Sequence, residues 1–151
     1  MYDSVENWHE QQPPDTPEEA LMAPAALWLT WLALHDMVVS GEETDALDAA
    51  LRARSTTPLD WYWERFGNAF YPEDLTPDGR RFTESHYLVG YVADDAEETD
   101  VETELGPYFD DLETVFLGLM PWEIPGSWDS FDRIAPRIAA SHAERSKGQP
   151  K

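Results

Sequence analysis

Between residues 24 and 39 the apolar positions follow one another with almost no polar break: Leu27, Trp28, Leu29, Trp31, Leu32, Leu34, Met37 and Val38. A helix that is apolar nearly all round is buried on every side. The pattern therefore predicts a central core helix from Pro24 to about Val39, stopped by Ser40-Gly41. Upstream, Thr16-Pro17-Glu18-Glu19 has the capping hydroxyl, first-turn proline and early acids of a helix start. Within a helix begun there, Pro24 would lack an amide donor and crowd the preceding turn, which makes Pro24 the alternative start of the core helix.

Beyond it the pattern becomes amphipathic. Thr44 to Arg54 predicts a short helix with Leu47 and Leu51 in register. Ser55-Thr56-Thr57-Pro58 opens another, on which Leu59, Trp63, Phe66 and Phe70 share a face, and Thr76-Pro77 opens a third with Phe82, Ser85, Val89 and Val92 inward. Thr-Pro recurs at 16, 57 and 76 with flanks that do not align, which is capping chemistry rather than an internal repeat. Gly106-Pro107 breaks the chain before YFDDLETVFLGL, a helix or a helix followed by a short strand. MPWEIPGSW reads as an ordered loop held by Trp122 and Trp128. Ser127 caps a last helix that carries Phe131, Ile134 and Ile138 and bends at Pro136, and SHAERSKGQPK loses the periodicity and frays.

The expected fold is mainly α. It is a single compact domain, residues 1–146, of about five or six helices around the buried Trp-rich central helix, with a short β-hairpin near 114–125 as an option. Residues 1–15 form an extended arm that pins Tyr2 and Trp8, and 147–151 a disordered tail.

Composition narrows the function. With 151 residues, 42% hydrophobic and 13% aromatic, the chain has the core material that disordered acidic proteins lack. Its 31 acids against 10 Lys plus Arg give a net charge of -21, which argues against nucleic acid and anionic membranes as ligands. Both lysines, Lys147 and Lys151, lie in the last residues, so the folded body is more acidic still. The absence of Cys removes disulfides, thiolate metal sites and a thiol nucleophile. The start MYDSVENWHE has neither the basic nor the apolar run of a signal peptide, and no apolar stretch spans a bilayer; a cytoplasmic location is expected.

Few residues suggest catalysis. His9, His35, His86 and His142 show no helical ligand spacing and no HExxH, although distant parts of the chain, such as His9 and His35 with carboxylates, could assemble a metal site. GxSxG, phosphate-loop and dinucleotide motifs are absent. Carboxylate pairs such as Asp94-Asp95 and Asp110-Asp111 arise by chance in so acidic a chain. Catalytic carboxylates need surroundings that split their pKa values, and sequence does not display surroundings. No enzyme, no cofactor and no metal are expected.

The densest acidic stretch, ADDAEETDVETE at 93–104, lacks the glycine and ordered ligand positions of a calcium loop. It reads either as a solvated face, including the surface of a protein from a high-salt habitat, or as a surface that steers a basic partner. On the second reading the partner-binding residues are Asp94, Asp95, Glu97, Glu98, Asp100, Glu102 and Glu104, followed by Tyr108, Asp110, Asp111, Trp122 and Glu123, with Tyr91 and Phe109 as further aromatic anchors.

Four segments carry a family resemblance: Trp8-His9, LRARSTTPL at 51–59, FYPEDLTPDG at 70–79 and WDSFDRIAPRIAASHAE at 128–144. They resemble a family of small, acidic bacterial proteins that form a domain of unknown function, with Trp-His near the start and a W-x-x-x-D-R-x-A-P end. The acidic middle, MPWEIPG and Pro24 fit the pattern less well. The resemblance carries over no catalytic residues. It implies a likeness in character to immunity proteins, which bind and neutralise a toxin in the cytoplasm. The rival readings are a metal-dependent or carboxylate-based enzyme, a DNA-mimic inhibitor and a stand-alone acidic housekeeping domain. A basic protein partner, a cognate toxin, is expected, with oligomeric state left open.

Overall fold

A computed structural model describes residues 3–4, 18–67, 69–89 and 104–147. Six α-helices stand among them: α1 (Ala23–Leu34), α2 (Asp45–Arg52), α3 (Pro58–Arg65), α4 (Pro77–Phe82), α5 (Pro107–Val115) and α6 (Trp128–Lys147). Two minimal antiparallel ladders join distant segments. β1 (Asp3–Ser4) pairs with β2 (Ala69–Phe70), and β3 (Leu88–Val89) pairs with β4 (Glu104–Leu105). The chain is mainly helical, as its periodicity predicts, and β1 lies inside the expected extended arm; Tyr2 and Trp8 fall outside the described residues.

A 3₁₀ turn, Glu18–Met22, leads into α1, whose first turn holds Pro24. Every residue from Ala23 to Ala33 is buried, so α1 is the core helix, packed by α3 and α6. Trp28 is its hub. Its ring meets Phe82, Tyr87 and Tyr108 at centroid distances of 4.7, 5.7 and 4.9 Å, and its indole N–H donates to Thr83 Oγ1 at 3.0 Å.

The stop of α1 differs from expectation. The helix ends at Leu34, well before Ser40-Gly41, because Asp36 takes the left-handed conformation, φ 59°. Met37 N–H then donates to Leu32 O and Asp36 N–H to Ala33 O, the paired bonds of a Schellman close. Arg54, φ 56°, closes α2 in the same way: Ser55 N–H donates to Ala50 O and Arg54 N–H to Leu51 O. Both positions lack the usual glycine, and both side chains are engaged. Asp36 accepts from Arg52, which also donates to Ala33 O. Arg54 grips Asp132 with two bonds of 2.7 and 2.9 Å and lies over the Trp128 ring.

The Thr-Pro starts at 57 and 76 behave as their chemistry dictates, while Thr16-Pro17 lies outside the described residues. Thr57 Oγ1 accepts from Asp60 N–H and Thr76 Oγ1 from Gly79 N–H, with Pro58 and Pro77 in the first turns. The inward faces, however, are rotated from those expected. On α3 the deeply buried residues are Pro58, Trp61 and Tyr62, while Trp63 and Phe66 are half-buried and Phe70 belongs to β2. After α4 a π turn, Thr83–Tyr87, inserts a wider step. It buries Thr83 and Tyr87 in place of Ser85 and sends the chain into β3; Val92 lies outside the described residues.

No strand forms at 114–125, which corrects the optional hairpin there. Gly118 sits in the left-handed region, φ 85°, and Pro121–Glu123 winds a 3₁₀ turn, so the segment folds back on itself rather than pairing. The loop up to Trp128 is ordered as expected: Leu59 N–H donates to Gly126 O, and the Trp128 indole to Thr56 O at 2.7 Å. Ser127 Oγ accepts from Ser130 N–H, and Phe131, Ile134 and Ile138 are buried. Helix α6 runs through Lys147, beyond the expected fraying point, and 148–151 lie outside the described residues.

Candidate functional site

Large apolar side chains left in solvent are informative only where they gather. The exposed ones among the described residues are Val39, Tyr71, Leu105, Leu117, Leu119 and Met120. Three of these, Leu105, Leu119 and Met120, line a single groove of about 250 Å³ with Phe109, Leu112, Glu113, Pro121 and Ile124. Leu117, 82% exposed, stands in the turn that leads to it.

The local sequence builds this groove. Gly106 caps α5, and its N–H donates to Tyr87 O, which clamps the start of α5 to the π turn. A side chain at Gly106 would run into the His86 carbonyl, its Cβ only 2.2 Å away. Buried Leu112 and Ile124 form the floor. The rim turn is fastened by Glu123, whose Oε1 accepts from Met120 N–H at 2.8 Å. Below α5, Arg133 donates to Val115 O at 2.7 Å and Arg137 pairs with Asp111 at 3.3 Å. Both guanidinium groups are thus committed to α5, and among the described residues Glu113 is the one charged residue lining the groove.

The residues expected to bind a partner divide three ways. Asp94, Asp95, Glu97, Glu98, Asp100 and Glu102 lie outside the described residues, as does Tyr91. Glu104 stands in β4 with its Cα opposite Val89, beside groove residue Leu105. The remainder surround α5 and the turn after it: Asp110 and Glu123 are exposed, Asp111 and Trp122 partly buried. Tyr108 is a correction. It is 2% exposed and its hydroxyl is held by a backbone carbonyl, so it is a core residue. Burial, and secondarily the Asp111 charge, push its phenol pKa well above the ordinary 10.0.

Leu105, Leu119 and Met120 were not singled out from sequence. The available signal is the apolar run VFLGLM, broken only by Gly118 and followed by two prolines, a pattern that also fits a short strand.

Other concavities have less to recommend them. A wider hollow of about 390 Å³ is ringed by Glu42, Glu43, Glu73 and Asp74, and its one basic residue, Arg65, turns inward to Asp48 and the Val39 carbonyl. His35, His86 and His142 gather around Trp31 and Phe82 as ring contacts, with His35 stacked on Trp31 at 3.9 Å. Among the described residues no three His, Asp or Glu converge to hold an ion, and no helix is long and apolar enough to cross a membrane.

Fold and groove together define a small, acidic, mainly helical domain whose most distinctive surface is apolar. The chain belongs to the family described as Domain of unknown function (DUF7832), whose model matches residues 1–122. No curated protein and no solved structure matches it.

Proposed function

We propose that the protein is an immunity protein that binds a cognate bacterial toxin in the cytoplasm and neutralises it without catalysis, by covering the toxin's active site. The observation that carries this reading is the apolar groove on α5, lined at one side by Leu105 of β4; in sequence, the acidic run ends at Glu104, the first residue of β4. Tight protein complexes combine desolvated apolar anchors with charge that steers encounter. A net charge of -21 favours a basic partner, and many toxins that attack nucleic acid or nucleotides present basic clefts.

The test is capture of partners from the native host on the tagged protein at low salt, with identification by mass spectrometry and a repeat at high salt. The expected result is one basic protein whose expression alone arrests growth and whose toxicity co-expression relieves. A captured protein that is harmless on its own, or no capture at either salt, would sink the reading.

A further inference from the structure

We infer that the groove between β4, α5 and Pro121–Ile124 receives one large apolar side chain from a segment of the partner in which that side chain is flanked by lysine or arginine. The inference rests on the binding role proposed above, and it names what the surface recognises.

Size comes first. About 250 Å³ lies below the roughly 300–1,000 Å³ of small-molecule sites and suits a side-chain anchor. The walls come next. Leu112 and Ile124 form a buried, fixed floor, while Leu119 and Met120, 39% and 48% exposed, form a wall that an occupant would cover. Unbranched Met120 adapts to the shape of what enters.

Charge selects the flanks. Glu113 lines the groove and Glu123 stands exposed on its rim turn, while Arg133 and Arg137 are held against α5. A second copy of this chain would bring another -21 to the same place, and an anionic lipid surface would be repelled likewise. A cationic segment offsets the acids as its apolar residue is buried, and both halves are needed. Charge without an anchor gives a fast, weak encounter, and an anchor without charge gives slow association.

The experiment uses the full chain, methyl-labelled, and three peptides of equal length: one with a central Trp flanked by Lys and Arg, one with Ala replacing the Trp, and one with the Trp flanked by Glu. The basic Trp peptide is expected to bind and to shift the methyl signals of Leu112, Leu119 and Ile124. The Ala and Glu versions should bind at least ~10-fold more weakly, as for loss of a central anchor or of charge complementarity. Met120→Asp and Leu119→Ser should each weaken the Trp peptide ~10-fold, whereas Val39→Asp, exposed elsewhere, should leave binding unchanged. Equal binding of the Ala or the Glu peptide, or shifts confined to another surface, overturns the inference. So does a dimer in sedimentation that Met120→Asp dissociates, since the occupant would then be a second copy. If the peptide results hold while the captured partner proves harmless, the toxin reading falls and the anchor pocket stands. If a toxin is captured and Met120→Asp binds it normally, the pocket falls and the toxin reading stands.

Discussion

The hydroxyl of Tyr108 donates a 2.7 Å hydrogen bond to the carbonyl of Pro24, joining α5 to the first turn of α1 across 84 residues of sequence. The Tyr108 ring packs against both Trp28 and Tyr87, at 4.9 and 5.6 Å, and closes a triangle with them, since those two rings are themselves 5.7 Å apart. The bond and the stack together seat one flank of α5 on the core and leave the next flank, with Phe109 and Glu113, to line the groove.

Tyr108→Phe keeps the ring and removes the bond, so stability should fall by about 1 kcal/mol. Its pH dependence should change as well. The folded phenol pKa lies above 10.0, so above that pH the unfolded chain releases this proton while the folded chain retains it. The contribution is complete below pH 10 and is lost as pH rises further. Chemical denaturation from about pH 7 to 11 should show a shallower alkaline decline in the variant.

Asp132 titrates in the opposite sense. Hydrogen bonds from Arg54, and secondarily its charge, hold the carboxyl below 3.8. The stability it contributes is present above that ordinary value and is lost as pH falls through the lowered one. Asp132→Asn should flatten the acid limb of a thermal melt, an effect kept small because the pair is half exposed.

Arg54 also occupies a left-handed position. Arg54→Ala and Arg54→Gly both lose the Asp132 pair and the Trp128 contact, but only alanine keeps the backbone cost. Glycine should therefore be the more stable of the two by about 1 kcal/mol, read from denaturant midpoints.

Gly106→Ala should be among the more damaging small substitutions. Its φ of -88° suits any residue, and the conflict is with the His86 backbone. A loss of about 1–3 kcal/mol, typical of overpacking, should come with altered methyl signals for Leu105 and Leu112.

Thr30 is fully buried in α1, and among the described residues its Oγ1 has no hydrogen-bond partner. Thr30→Val has nearly the same shape and removes an unsatisfied hydroxyl, so the melting temperature should rise, by an amount worth about 1 kcal/mol. A fall would show that the hydroxyl has a partner in the folded chain.

With a captured partner in hand, the acids and the groove should separate kinetically. Replacing Asp94, Asp95, Glu97 and Glu98 by their amides should slow association and flatten its salt dependence, while Leu119→Ser should mainly speed dissociation. Equal effects on both rates from both changes would contradict the division of labour.

Much of the architecture is local and was legible. The near-continuous apolar run of α1 has one low-energy place, the centre. Thr57-Pro58, Thr76-Pro77 and Ser127 start helices through hydrogen bonds that span only three residues. What escaped depends on partners remote in sequence. Asp36 and Arg54 do not look like helix stops, because glycine is the usual sign of a left-handed close; here Arg52 and Asp132, respectively, engage their side chains. An ideal 3.6-residue period extrapolates across Phe66-Gly67 to Phe70 and across Thr83–Tyr87 to Ser85, but the helix breaks at the first and widens at the second, so Phe70 joins β2 and Tyr87 takes the buried place.

The site follows the same division. By itself the sequence determined the mainly helical class, the buried Trp-rich helix and a net charge of -21, since periodicity and charge are properties of the chain at any distance. Tertiary structure alone decided that Tyr108 is core and that Leu105, Leu119 and Met120 meet at one groove. An aromatic or aliphatic residue carries the same apolar surface wherever it stands, and only the packing of α5 on α1 determines which of those surfaces is covered.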